Sequence, residues 1–409
     1  MRLVILCSQY SRGNGGSSSL IDLGRAAEHA GAVVDTIVTQ QTGLRYGRAL
    51  FESMAQSRAL RLHRAPQALR LYDDTNRRFS AGNLRHDALK TVESFQTRLY
   101  SLLPIRRIAS ADMILVSGMP MPADVSYLRS INPSANLVFN HPGSPTAFLE
   151  YWLKNVEALP SEDLNRKRLS AYEKLLVPFD HVLFQSPLQA NELRRVLPAL
   201  AKKPRVIRPG VDEVSLRPIL MRRQRFFKEV TYRLVMVGSI QRRKNQMDAI
   251  KATISLAEEF PNITLEIIGG VVDSEYFEEL KKEVEKRNAL KHIIFSGHRK
   301  DYASKIAESD ILIHTALAEG VPRVLREAMY LEVPIVAYGI SGINDLLEDE
   351  VSAKLSECGN CAQLRDAVAY LFNSPRHAKL LAAGAKARFS EFHSSIKLSE
   401  QVTSQLLSS

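Results

Sequence analysis

The chain has only three cysteines and one tryptophan in 409 residues, and 7% of it is aromatic. Three thiols cannot build a disulfide scaffold, and an odd number fits a reducing compartment. Cys7 falls in an apolar run and is expected in the core. Cys358 and Cys361 have C-x-x-C spacing, but no second pair completes a zinc site and the thioredoxin-like context is absent. No uninterrupted apolar run approaches the length of a membrane span. Met1 to Ser8 reads as a first strand rather than a cleavable signal, so a soluble, cytoplasmic chain is expected.

Acidic residues are scarce in the first half. Residues 1–210 hold 28 Lys or Arg against 17 Asp or Glu, and residues 211–409 hold 27 of each, so the net charge of +11 lies entirely in the first half. Much of it falls between Arg45 and Arg107, with Arg58, Arg61, Arg64, Arg70, Arg77, Arg78 and Arg85. Scattered arginines suit a solvated helical surface, but the lopsidedness favours an anionic partner such as an anionic membrane surface, a lipid-linked phosphate acceptor or an acidic polymer. Nucleic acid fits on charge alone, yet the segment carries no recognition motif and few aromatics.

With 409 residues and 45% apolar content, the chain can bury two cores and is too long for one compact domain. Apolar runs at Leu3 to Leu6, Val33 to Val38, Met113 to Val116, Leu137 to Phe139 and Val182 to Phe184 alternate with helical stretches. The same rhythm resumes from Leu234 through Ile335 to Ala337. This predicts an α/β fold with two parallel-sheet domains. Lys202 to Arg233, with Pro204, Pro209 and Pro218, reads as the connection. The expected division is 1–205, 206–386 and a terminal helix over 387–409 that crosses back onto the first domain.

Glu319 to Ala328 places two carboxylates eight residues apart across the join of a loop and a helix. Asp310 to Thr315 reads as a buried strand, Pro322 suits the first helical position, and Val324, Leu325, Ala328 and Met329 repeat at helical spacing. Glu319 then lies in the loop and Glu327 beside the apolar stripe. The amides of Gly320 and Val321 would sit near the helix N-terminus, which favours anions. Both carboxylates can accept hydrogen bonds from sugar or ribose hydroxyls. The plainer alternative is an Arg323–Glu327 surface pair beside a solvated Glu319. In the first half, Gly13 to Ser19 follows the opening strand, and Gly15 and Gly16 permit close approach of backbone to phosphate before a helix starting near Leu20. A capped flexible turn is the competing explanation.

Glu319-Gly320-x-Pro322, then Glu327-Ala328, followed by Leu331 to Ala337 and Ser341-Gly342, resembles the donor-site signature of family 4 retaining glycosyltransferases. Ile207 to Asp212, Leu234 to Gly238, Lys244, Leu265 to Gly270 and Ile293 to Gly297 resemble the other family segments in order. The resemblance covers most of the C-terminal half. It implies a GT-B fold, in which two Rossmann-like domains face each other across a cleft, and transfer of a sugar from a nucleoside diphosphate donor.

By that resemblance Glu319 holds the transferred sugar, Glu327 the ribose, and Lys244 the pyrophosphate. Gly15 and Gly16 approach the donor phosphates or the acceptor. His141, in Asn140-His141-Pro142-Gly143-Ser144, lies near the donor sugar, whereas Phe179 to Ser186 reads as architecture. Many family members have arginine directly after the glycine equivalent to Gly238; here Ser239 stands there, and Arg243 is the candidate substitute. The family generally needs no bound divalent cation, so no metal or other cofactor is expected. An epimerase of similar architecture and a non-catalytic carbohydrate or membrane-surface binding protein are the alternatives.

Overall fold

A computed structural model of the chain describes residues 1–7, 15–38, 106–117, 122–141, 143–146, 149, 161–226 and 232–408. The arginine-rich stretch from Arg45 to Arg85 lies outside the described residues. Strands β1 (Arg2–Cys7), β2 (Val33–Val38), β3 (Met113–Ser117), β4 (Asn136–Asn140), β5 (His181–Phe184) and β6 (Pro204–Val206) form a sheet in the order β2-β1-β3-β4-β5-β6. Strands β7 (Arg233–Val237), β8 (Thr264–Ile268), β9 (Ile293–Gly297), β10 (Ile311–His314), β11 (Ile335–Tyr338) and β12 (Lys354–Ser356) form a second, β12-β11-β10-β7-β8-β9. The pairings of both sheets are parallel.

Parallel sheets are covered on both faces, so their strands need apolar side chains on both. That is why the runs read as continuous rather than alternating. In β7, Leu234 and Met236 enter one core with Ile313 and Val336, while Val235 enters the opposite core with Leu312 and Ile335.

The covering helices are α1 (Gly15–His29), α2 (Pro122–Ile131), α3 (Ser161–Leu176), α4 (Pro187–Val196), α5 (Glu213–Phe226), α6 (Gln246–Leu256), α7 (Ser274–Lys286), α8 (Tyr302–Glu308), α9 (Arg323–Tyr330), α10 (Ser341–Asn344), α11 (Cys361–Asn373), α12 (Pro375–Phe392) and α13 (Ser395–Val402). Helix α1 starts at Gly15, earlier than expected. Its first four residues, Gly-Gly-Ser-Ser, include no large apolar residue in the sequence, so periodicity first becomes visible at Leu20.

The segment read as a connection holds both β6 and α5. Pro204 is tolerated because it opens an edge strand, where a missing N–H disturbs no inner ladder. Pro218 lies inside α5 and costs that helix a hydrogen bond, while Leu216 packs into the second domain's core.

The C-terminal region is two helices rather than one. α12 ends at Phe392, His393 places Nδ1 2.9 Å from the Pro209 carbonyl oxygen, and α13 follows. Leu398, Val402 and Leu406 then join Leu3, Ile5 and Leu20 in one buried cluster, so the end of the chain completes the first domain's core. Cys7 is buried in the same cluster, as its apolar context predicted. Among the described residues no helix is long and apolar enough to cross a membrane.

Candidate active site

The second sheet reverses its winding between β7 and β10, which are hydrogen-bonded neighbours. Loops leaving the carboxyl ends of two such strands emerge side by side and form a ligand crevice. The loop after β7 carries Gly238 to Lys244, and the loop after β10 carries Thr315 to Pro322. This is how residues 75 positions apart meet: the Lys244 ammonium contacts the Glu319 carboxylate. Arg242 to Lys244 form a 3-10 turn, and Asn245 leaves it in the left-handed region at φ 52°, which asparagine tolerates. The Thr315 hydroxyl donates to the carbonyls of Lys244 and Asn245 at 3.2 and 2.8 Å, tying the two loops together. The Lys244 stem lies over Gly238.

Arg243 also turns toward the carboxylate, with Nη1 2.5 Å from the Ala318 carbonyl and 3.3 Å from Glu319 Oε1. Arg242 points elsewhere and grips Glu279 through two hydrogen bonds of 3.0 and 2.6 Å. The Ser239 hydroxyl accepts from Gln241 Nε2 at 2.6 Å. Burial by itself raises the Glu319 pKa, but its contact with His314 and the charges of Lys244 and Arg243 overcome this and hold the carboxyl well below the usual range. A carboxylate flanked by two cations at a crevice can accept from sugar hydroxyls while the cations meet an anion.

Glu327 lies on α9, whose N-cap is Pro322, so the helix begins at Arg323, one residue later than expected. Pro322 has a helical φ of −62° but an extended ψ of 127°. The amides of Gly320 and Val321 therefore precede the first turn, and the Val321 side chain is core. Leu325, Ala328 and Met329 face the core as the pattern predicted, and Val324 is partly buried.

Glu327 is only 2% exposed, so its contact with Arg323, 2.8 Å from Nε to Oε1, is not a surface pair. The Tyr302 hydroxyl donates to the same oxygen at 2.9 Å, while the buried Oε2 has no protein partner. Arg323 Nη1 also reaches Asp22 of α1 at 3.2 Å. Beside it, the buried Arg326 donates to the Gly210 carbonyl and places Nη2 3.4 Å from the Ser19 hydroxyl. Asp22, Tyr302, Arg326 and His314 carried no sequence signal. Their importance comes from neighbours distant in the chain.

Gly15 and Gly16 open α1, the helix whose Ser19 and Asp22 meet α9. His141 follows β4 directly, but its ring is not presented to the cleft. It is 0% exposed among Phe139, Tyr172 and Phe184. An Nδ1–H tautomer satisfies both nitrogens: Nδ1 donates to the Gly143 carbonyl at 2.7 Å, and Nε2 accepts from the Tyr172 hydroxyl at 2.7 Å. Burial pushes its pKa down to about 3, so the ring is neutral. This departs from the expected contact with a sugar: His141 shapes the loop that follows it. Ser144 and Thr146 of that loop donate to Glu192, and a methyl on Gly143 would sit 4.0 Å from the Gly320 Cα. Gly342 packs against the Glu319–Gly320 loop, because a methyl there would overlap the Gly320 carbonyl oxygen. Phe179, Val182 and Phe184 are core, as expected.

Residues 220–388 match the family model of glycosyl transferases group 1. An uncharacterised glycosyltransferase of Methanocaldococcus jannaschii is 22% identical over 248 residues, 59% of this chain and 58% of that protein's length. The lipopolysaccharide glucosyltransferase WaaG of Escherichia coli is 29% identical over 130 residues, 32% of this chain and 34% of that protein. Among solved structures, HepE of Anabaena, crystallised with UDP and glucose, superposes with a TM-score of 0.67 at 18% identity, covering 99% of each chain. The chain thus has the GT-B fold, and its segment 220–388 is similar to the glycosyl transferases group 1.

Proposed function

We propose that this protein is a retaining glycosyltransferase that moves a sugar from a nucleoside diphosphate sugar to a hydroxyl acceptor. The observation that carries this reading is the Lys244–Glu319–Arg243 cluster at the point where the second sheet reverses, with a Glu327 oxygen on the following helix that is buried and unpartnered. Glu319 accepts hydrogen bonds from the transferred sugar, and Glu327 Oε2 accepts from the ribose. Lys244, helped by Arg243 in place of the arginine missing at Ser239, meets the pyrophosphate. Negative charge grows on that leaving group as the glycosidic bond breaks, so these cations stabilise the transition state more than the ground state. The departing phosphate takes the proton of the acceptor hydroxyl, and no protein nucleophile is needed. Gly15 and Gly16 bring the first turn of α1 toward the donor phosphates or the acceptor, and His141 supports the facing loop.

The reading includes no divalent cation and no other cofactor. The acceptor is anionic or sits at an anionic membrane surface, held by the basic first domain on the cytoplasmic side. WaaG and the poly(glycerol-phosphate) alpha-glucosyltransferase of Bacillus subtilis, 27% identical over 138 residues, point to a cell-envelope glycan or glycolipid. The test is nucleotide release from UDP-, GDP-, ADP- and TDP-sugars by wild type and Glu327→Ala, with and without EDTA. Release from one donor, lost in the variant and indifferent to EDTA, is expected. Isomerised donor without acceptor would instead identify an epimerase, and nucleotide binding without turnover a binding protein.

A further inference from the structure

His314 ends β10 directly beneath the Glu319 loop and is 1% exposed. Neither ring nitrogen has a hydrogen-bond partner, which is costly for a buried imidazole. Nε2 lies 3.6 Å from Glu319 Oε1, just beyond hydrogen-bond reach. The same oxygen is held by Lys244, with Arg243 3.3 Å away. Burial lowers the His314 pKa, so the ring stands as a neutral donor rather than a second cation.

These distances present a problem for a bound donor. A pyrophosphate carries more charge than a carboxylate and draws Lys244 and Arg243 toward itself. Glu319 would then be left in a largely desolvated site, without its cations, while it orients the reacting sugar. A carboxylate in that position needs another donor. His314 is the unsatisfied donor at hand, and a shift of under about 1 Å closes the gap to ordinary hydrogen-bond length.

We propose that His314 is a positioning residue: when Lys244 turns to the pyrophosphate, its Nε2–H takes over the Glu319 carboxylate and keeps it aimed at the transferred sugar. The inference rests on the donor reading above and adds a hand-over between two partners of one carboxylate. It touches no reacting atom and acts only through Glu319.

His314→Gln preserves a donor near the Nε2 position, and His314→Met preserves bulk without one. His314→Met is expected to lower kcat by about 10- to 100-fold with little change in KM for the donor. His314→Gln is expected to restore kcat to within about fivefold of wild type. Wild-type rates in both variants would overturn the inference alone, as would equal losses in both, which would make the site one of shape.

If wild type turns over none of the nucleotide sugars, the donor reading fails and this inference falls with it. Should His314→Met not fold, imidazole nitrogen shifts of histidine-labelled wild type, recorded with and without UDP, carry the test. A downfield move of the His314 Nε2 proton on UDP binding supports the hand-over, and an unchanged resonance overturns it.

Discussion

The guanidinium of Arg323, in the second domain, lies 3.2 Å from the carboxylate of Asp22 in the first. The same guanidinium holds Glu327, so one side chain joins the proposed ribose contact to the facing domain. Both acids are buried. Asp22→Asn keeps the volume and removes the charge, which loosens the approach of the two domains without emptying the core. Its donor KM is expected to rise about 3- to 10-fold, with the radius of gyration increased in solution scattering. An unchanged KM would mean that the pair holds no part of the closed arrangement.

Gly342 and Gly269 each stand where only hydrogen fits. A methyl on Gly342 overlaps the Gly320 carbonyl, and one on Gly269 overlaps the Gly238 carbonyl, so the obstacle is backbone and cannot rotate away. Gly342→Ala is expected to displace the Glu319–Gly320 loop and reduce donor turnover by about 100-fold or more while far-UV circular dichroism stays close to wild type. Gly269→Ala should act in the same way through the Gly238 loop. Full activity in either variant would show that the loops are not held by these contacts.

Lys244 is the closest cation to Glu319, and its removal affects two functions at once. Lys244→Ala should cut kcat by about 100- to 1,000-fold through loss of leaving-group stabilisation. It should also let the Glu319 pKa rise, since Lys244 is among the groups holding it down. Stopped assays across pH would then show the acidic limb of the rate profile displaced to higher pH than in wild type. A profile with an unmoved acidic limb would separate Lys244 from Glu319.

Two buried histidines make the fold sensitive to acid. Burial pushes both His141 and His393 down to about 3, against an unfolded value of about 6.5. Above the unfolded value both states are neutral and pH has no effect through these groups. Between about 6.5 and 3 the unfolded chain binds protons that the native state refuses, so stability falls with pH by about 1.4 kcal/mol per unit for each histidine. Urea midpoints measured from pH 7 to pH 4 should show this slope, and His141→Gln should reduce it by one proton. An identical slope in that variant would mean His141 is protonated in the folded protein.

Much of the second domain was legible. Its strands β7, β8, β9 and β11 end at or just before a glycine, and the leucine, alanine and methionine positions of α9 show their face through spacing alone. Glu319, Glu327 and Lys244 were named for the same reason, since each lies in a local motif. The burial of His141 is not legible in sequence, because the residue after a strand end has the same local sequence whether its ring meets solvent or, as here, packs against Phe184 and bonds Tyr172. The strand and helix in the proline-rich connection are not legible because an edge strand and packing into the second domain's core excuse what proline forbids elsewhere.

What the amino-acid order determined by itself is local: which segments are strands, which helix face is apolar, and that carboxylates and cations stand in loops after strands. Hydrophobic period and turn chemistry act over a few residues, so they can be read without coordinates. Only the tertiary structure decided that Lys244 and Glu319 share one ion pair, that Asp22 meets Arg323, and that His314 sits unpaired below the carboxylate. Those relationships depend on β7 lying beside β10 and on α13 returning to α1. Strand order and domain contact are settled by the packing of the whole chain, which no window of sequence contains.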